Sequence, residues 1–403
     1  MIRTSIIGIS GFGDTHYNDL ARYQKDGKLE ITAAAVINQD EEKEKCSYLR
    51  SLGCKLFTDY RQMLDETSGK VDLCFIPTGI PMHRPMTVAA LRSGANVFLE
   101  KPAAATVQEV EEMKKAQRES GKFAAVGYQT MYTPELMRIK KDIVAGKIGR
   151  LRSVKCYALW PRADDYYGRN NWAGRLKSGD SWVLDSPYNN ALAHQLNQIC
   201  FFAGEKSAGS AEIKSVEAEL YRANRIESAD TACARIMTKS GIPLYFIATH
   251  ACQTFAGPDI VITGDKGEIT WNMQKTVFKY GSAGEELPSQ NWDEMRISVM
   301  DSLIARIKDP SAFTCTLDIA GVQTLCVNGI HESSPIHALD EKLFQRIPHK
   351  DSCLTVINDI DSVVLAAFKE EKLFSELGVA WAHRGRTIDL KGYNCFPMPG
   401  SRQ

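Results

Sequence analysis

The chain has 403 residues, 44% hydrophobic and 24% charged, with 49 basic residues balanced by 49 acidic ones. That neutrality carries no electrostatic footprint for nucleic acid or anionic membrane, and no 18-residue apolar run offers a transmembrane helix. Eleven scattered cysteines without a C-x-x-C pair read as reduced thiols of a cytoplasmic protein, and no His/Cys spacing suggests a metal site. The length allows two domains with sizeable cores.

The start, Met1 to Ile6, runs straight into a strand and leaves no room for a signal peptide. Ser5-Ile6-Ile7 is followed by Gly8-Ile9-Ser10-Gly11-Phe12-Gly13. A dinucleotide-binding turn needs small residues for its bend, for close approach to a pyrophosphate and for packing helix onto strand. Gly8 and Gly13 hold the outer places of G-x-G-x-x-G, and Ser10 the middle one with Gly11 beside it. The helix expected from Asp14 would turn its N-terminus to the phosphates. The second strand, Leu29 to Ile37, ends at Asn38, where an acid would select NAD and an arginine NADP. Asn38 fits both, and with no arginine close behind it the reading leans to NAD over NADP.

A helix over about 41–52, a strand near Leu56, a short helix over 61–65 and a strand over 71–76 follow. Then come the turn Pro77-Thr78 with His83, a helix through Leu91, and the apolar run Val97 to Leu99. That run stops at Glu100-Lys101-Pro102, since proline cannot donate to a ladder. Lys101 thus falls at a strand's carboxyl end, where ligands sit in an open parallel sheet. A helix over 106–120 and a strand over 123–127 complete a doubly wound α/β sheet, with strands and helices alternating as βαβ units.

These motifs together resemble the glucose–fructose oxidoreductase, inositol dehydrogenase and MocA family. They are the Gly8–Gly13 loop, Thr78 with His83, Glu100-Lys101-Pro102, Gly127-Tyr128-Gln129 and Ile148 to Val154. The resemblance implies an N-terminal Rossmann domain over 1–128. It implies a C-terminal α+β domain over 129–403 with a large, mostly antiparallel open sheet. It also implies an NAD(P) cofactor contacted by Gly8, Ser10, Gly11, Phe12, Gly13, Asn38, Thr78, Glu100, Lys101 and Gln129, and Lys101 in the active site. His83 is expected to hold its loop.

Beyond a helix over 134–145 and a strand over 151–159, residues 160–182 gather Trp160, Tyr166, Tyr167, Trp172 and Trp182 among Arg162, Arg169 and Arg175. Aromatic faces pack on sugar C–H groups and arginines fork onto hydroxyls, carboxylates or phosphates. Arg162, Arg169, Trp172, Tyr188 and Asn190 are therefore the candidate substrate contacts. Family members carry D-x-G-x-H-x-x-D opening a helix in this region, the histidine being the acid/base. Counting back from Gly204 puts His194 on that histidine and Asn190 and Asn197 on the acids; counting forward from Asp185 puts Asn189 there instead. We take the first alignment, with Asp185 as the carboxylate that could support His194. Strand-like runs from Lys214 to Trp271 follow, then helices from about 317 and over 357–374. An open sheet of this kind hides one face on helices and the other on a second subunit, so a homodimer or homotetramer is expected.

The expected activity is hydride transfer between nicotinamide and a secondary alcohol or ketone of a sugar, cyclitol or derivative. Lys101 and His194 would meet one substrate oxygen across an interdomain cleft. Glycoside hydrolysis by transient oxidation, or nucleotide sensing without turnover, would use the same fold.

Overall fold

Strands and helices alternate from the N-terminus: β1 (Ile2–Ile7), α1 (Gly13–Lys25), β2 (Leu29–Ala35), α2 (Lys43–Ser51), β3 (Lys55–Phe57), α3 (Tyr60–Glu66), β4 (Leu73–Ile76), α4 (Ile80–Arg92), β5 (Asn96–Leu99), α5 (Val107–Ser120) and β6 (Ala124–Val126). The six strands form a parallel sheet in the order β3-β2-β1-β4-β5-β6. All four residues of β4 and three of the four in β5 are buried, as expected of strands covered on both faces by crossover helices. Strand order reverses between β1 and β4, which opens a ligand crevice at their carboxyl ends. This computed structural model describes residues 1–281 and 284–399.

After α6 (Pro134–Val144) come β7 (Leu151–Leu159), α7 (Asp164–Gly168), β8 (Lys177–Ser178), β9 (Ser181–Trp182) and α8 (Ala193–Phe202). They lead into β10 (Ile213–Arg222), β11 (Thr231–Thr238), β12 (Pro243–Thr249), β13 (Ala256–Gly264), β14 (Gly267–Trp271), β15 (Lys275–Tyr280) and β16 (Glu285–Pro288). The chain ends with α9 (Trp292–Lys308), α10 (Leu317–Ser333), β17 (Ile336–Ala338), β18 (Phe344–His349), β19 (Ser352–Ile357), α11 (Ile360–Glu370) and β20 (Ile388–Asp389). Ten of these strands make one mixed sheet, ordered β16-β15-β14-β13-β7-β12-β11-β10-β17 with β20 also on β10. Its β7–β12 and β10–β17 pairs are parallel and its other pairs antiparallel. β18 and β19 form a separate hairpin.

Two compact units result. The first is Met1–Ala104, Gln108–Thr133 and Asn291–Ala320; the second is Ala105–Val107, Pro134–Gln290 and Gly321–Gln403. The sequence reading divided the chain once, at 128, whereas the segment 291–320 returns to the first unit. The reason is chemical. Buried Arg296 of α9 donates through Nε to Asp19 Oδ2 of α1 at 2.7 Å, and Tyr23 OH donates to Asp301 Oδ1 at 2.9 Å. Val299, Met300 and Leu303 bury the helix's apolar side.

Part of the large sheet is covered by the chain's own C-terminal elements. Residues Leu244–Thr249 of β12 are all buried, so both faces of this central strand are covered within one chain. Ile360, Val364 and Ala367 of α11, with Leu373 and Phe374 after it, share one apolar cluster with Leu159, Tyr221, Cys233 and Ile247 of the sheet. The chain's own C-terminal elements thus occupy a face that the sequence reading left for a second subunit.

Nine cysteines are buried, Cys353 is partly so and Cys395 is exposed; none forms a disulfide. Among the described residues no group of three His, Cys, Asp or Glu is arranged to hold a metal ion, and no helix is long and apolar enough to cross a membrane.

Candidate functional site

In the first unit the glycine loop closes β1 onto α1. Gly8 has φ +90°, and a Cβ on Gly13 would lie 2.7 Å from Gly8 O. The loop therefore cannot keep this turn with a larger residue at Gly13. Phe12 precedes α1 with no side-chain cap on the helix, and the first N–H groups turn back onto the loop, Gly13 N to Ser10 O at 2.9 Å and Asp14 N to Gly11 O at 3.2 Å. Ser10 and Asn38, predicted separately, meet: Asn38 Nδ2 donates to Ser10 Oγ at 3.0 Å and to Glu41 Oε2 at 2.8 Å. Lys45 reaches Ile9 O at 3.0 Å but is itself paired with Asp14 (2.7 Å) and Glu42 (2.8 Å).

At the carboxyl end of β5, Glu100 is buried and Lys101 partly so, and the Lys101–Pro102 peptide is cis. Glu100 Oε1 contacts His16 Nε2 of α1 at 2.8 Å, and Glu100 Oε2 accepts the Lys101 N–H at 3.2 Å. Burial works to raise the Glu100 carboxyl, but the His16 bond and the positive field of His16, Arg296 and Lys101 outweigh it and bring it down to about 2. Gly127 belongs to the same device, since a Cβ there would fall 2.8 Å from Glu100 Oε1. Buried His83 bridges two strand-end turns, Nδ1 to Pro102 O at 2.8 Å and Nε2 to Thr78 O at 2.9 Å. It holds the loops, as its helix-entry position suggested. Gln129 is buried in the turn Gln129–Tyr132 after β6. The sequence reading missed His16 and Arg296. The first carried a signal, an imidazole three residues after Gly13 on the helix face turned to the strands; the second carried none.

In the second unit the predicted substrate residues gather around Tyr166. The guanidinium carbons of Arg162 and Arg169 lie 4.7 and 3.7 Å from its ring centroid, and that of Arg169 lies 5.3 Å from Trp172. Asp185, buried, accepts from Gly174 N at 2.6 Å and Asn190 Nδ2 at 2.7 Å, with Arg169 Nη2 at 3.7 Å. Its carboxylate thus knots the 160–190 segment together. Pro187–Ala191 is a π-helical turn leading into α8, whose second residue is His194, partly exposed. Asn189, the rival position for the histidine, is fully buried and donates to Val183 O at 2.9 Å. Of the two positions, His194 is the partly exposed one. Tyr188 departs from its expected part. It is fully buried, and its hydroxyl meets His331 Nε2 at 2.9 Å, so it props the turn from inside rather than facing a substrate.

Among solved structures, the WlbA dehydrogenase from Bordetella pertussis, in complex with NADH and UDP-GlcNAcA, superposes with a TM-score of 0.67 at 20% identity, covering 82% of this chain and 95% of that one. A levoglucosan dehydrogenase complexed with NADH and levoglucosan gives 0.70 at 17% identity, over 82% and 96%. Among curated proteins, an inositol 2-dehydrogenase/D-chiro-inositol 3-dehydrogenase of Halalkalibacterium halodurans is 25% identical over 199 residues, 49% of this chain and 51% of the relative. A dTDP-3,4-didehydro-2,6-dideoxy-alpha-D-glucose 3-reductase of Streptomyces violaceoruber is 27% identical over 166 residues, 41% and 47% of the two chains. The chain thus spans about half the length of the curated relatives it matches. The model of the oxidoreductase family's NAD-binding Rossmann fold matches residues 2–128, and that of the GFO/IDH/MocA C-terminal domain matches residues 136–270. With residues 2–128 and 136–270 matched by its two domain models, the chain belongs to the GFO/IDH/MocA oxidoreductase family.

Proposed function

We propose that this chain is an NAD-dependent oxidoreductase acting at a secondary alcohol or ketone of a sugar, a cyclitol or a derivative of either. The observation that carries the reading is the end of β5. There Glu100, locked to His16, fixes the backbone from which Lys101 projects. A structural lysine would not need a buried carboxylate–histidine pair beneath it.

The first unit fits the cofactor. The Gly8–Gly13 cradle and the start of α1 would take the pyrophosphate, and Asn38 the adenosine ribose. Glu41, bonded to Asn38, brings a carboxylate that a 2′-phosphate would meet with like charge, which supports NAD over NADP. Bound nicotinamide would supply the two-electron exchange. Lys101 then donates to the substrate oxygen as it gains charge, and His194 exchanges that hydroxyl's proton. Arg162, Arg169, Trp172 and Asn190 form the substrate wall. Asp185 acts as a positioning residue through Asn190 and Arg169.

The test is Lys101→Ala. Turnover of an accepted sugar or cyclitol should fall by about 10²–10³, while NADH fluorescence titration gives an affinity within a few-fold of the parent. Unchanged turnover would remove Lys101 from the chemistry and the reading with it.

A further inference from the structure

β7 ends at Leu159, and the chain leaves it through two residues pinned to the end of β12. Trp160 N donates to Thr249 O at 3.0 Å and Arg162 N to His250 O at 3.1 Å. The Arg162 guanidinium then lies between two rings, 5.2 Å from Trp160 and 4.7 Å from Tyr166. Its Nη1 reaches Pro161 O at 3.4 Å, and among the described residues no ion pair includes it. The acids of the neighbourhood are engaged elsewhere. Asp230 takes the N–H groups of Ala223 and Asn224 and the Thr231 hydroxyl. Asp185 takes Gly174, Asn190 and the flank of Arg169. His250, whose ring packs on Tyr166, brings no negative charge; burial and the Arg162 charge push it down to about 3.

The same stretch holds buried donors without acceptors. Arg162 Nε, Trp160 Nε1 and Tyr167 OH find no hydrogen-bond partner among the described residues. Stacking on aromatic faces offsets only part of the cost of drawing a charge away from water without a counter-ion. Rings alone therefore do not explain a guanidinium here, whereas an acceptor arriving with the substrate does. Arg169 offers no such opening, because Asp185 already screens it.

We propose that Arg162, with the Trp160 indole N–H beside it, binds an oxyanion carried by the substrate, a carboxylate or a phosphate, so that acidic sugar derivatives are preferred to neutral polyols. The inference rests on the oxidoreductase reading for its substrate and on Arg162 for its charge. A planar carboxylate can take the guanidinium fork in two parallel bonds, and a phosphate can do the same.

The experiment titrates the NADH-saturated protein calorimetrically with a hexuronate, an aldonate and a hexose phosphate, each beside its neutral parent sugar and myo-inositol. The same panel is then followed with NAD⁺ for turnover. Acids should bind more tightly than their neutral parents, and the better of carboxylate and phosphate names the source of the oxyanion. Arg162→Gln should weaken binding of the acid about 10- to 100-fold, raising KM with kcat nearly kept, and weaken binding of the neutral parent by a clearly smaller factor. Arg162→Lys should recover part of that loss, and Trp160→Phe should lose a smaller part of it. Equal loss for acids and neutral sugars in Arg162→Gln, or wild-type protein that binds none of the anions, would overturn the proposal. Binding of acids without turnover of any ligand would sink the oxidoreductase reading and leave the anion site standing. Turnover of neutral polyols without preference for acids would do the reverse.

Discussion

At the residue scale, the second unit keeps uncharged imidazoles where burial makes the charged form costly. His331, facing the Tyr188 hydroxyl, is held down to about 4 by burial. Its unfolded value is near 6.5, so between about 6.5 and 4 the unfolded chain binds a proton that the folded chain refuses. By linkage, stability then rises with pH across that window and falls on acidification. The shift corresponds to roughly 3 kcal/mol at most, at about 1.4 kcal/mol per pH unit. His331→Gln should lose less stability than the parent when urea unfolding is compared at pH 7 and pH 4.5. Equal losses would show that the Tyr188–His331 contact does not select the neutral ring.

At the element scale, α8 matters because His194 stands in its first turn, and its far end is held by an unusual device. Buried Lys140 of α6 donates to Phe201 O (2.5 Å) and Gly204 O (2.5 Å) at the end of α8 and to Gly209 O (3.1 Å) in the loop after it. Burial pulls this ammonium down to about 7, and the three carbonyls oppose that pull by favouring the charged form. Lys140→Met would leave buried acceptors unmet. It should cost about 1–3 kcal/mol, the size of leaving buried acceptors unsatisfied, read from chemical unfolding. A loss below about 1 kcal/mol would mean that water serves the carbonyls equally well. Little of this was legible in the sequence, where Lys140 reads as one of two adjacent lysines on an amphipathic helix. The first sheet was legible because buried parallel strands are continuous apolar runs. β7 was found to the residue and β2, β4, β5 and β6 within two, whereas β8, β9 and β15 to β20 went unread. α9 was missed although Asn291 and Glu294 spell its capping box. The helix from 357 was begun too early because the β18–β19 hairpin, interrupted by Pro348, hid its second strand. The nucleotide-side residues Ser10, Asn38, Glu100 and Lys101 were readable as motifs. The pairing of His16 with Glu100 was not, because no local pattern encodes a contact across 84 residues.

For the whole molecule, the C-terminal elements supply from within the chain what a neighbouring subunit would supply to a bare sheet. The face over β7, β11 and β12 is closed by α11 and the segment through Trp381, whose ring packs on Tyr221 and Phe374. That part of the sheet is therefore not open to a second subunit. With that cover built in, folding of the large sheet is a one-molecule event. In the absence of association through another surface, its melting temperature should stay constant across a hundredfold range of protein concentration, since mass action stabilises only native states that bind a partner. A midpoint that climbs with concentration, followed in parallel by sedimentation, would show that the self-cover is not sufficient.

The return of residues 291–320 to the first unit also bears on how the protein is made. A ribosome releases the six strands of the nucleotide sheet early, but α9, which closes over α1 with Arg296 on Asp19, emerges about 160 residues later. Until then Asp19 and Tyr23 lack the partners that α9 brings. The nucleotide-binding unit therefore begins early in this chain and is completed only when residues 291–320 have emerged. A nascent chain halted before α9 would present Asp19 and Tyr23 without those partners.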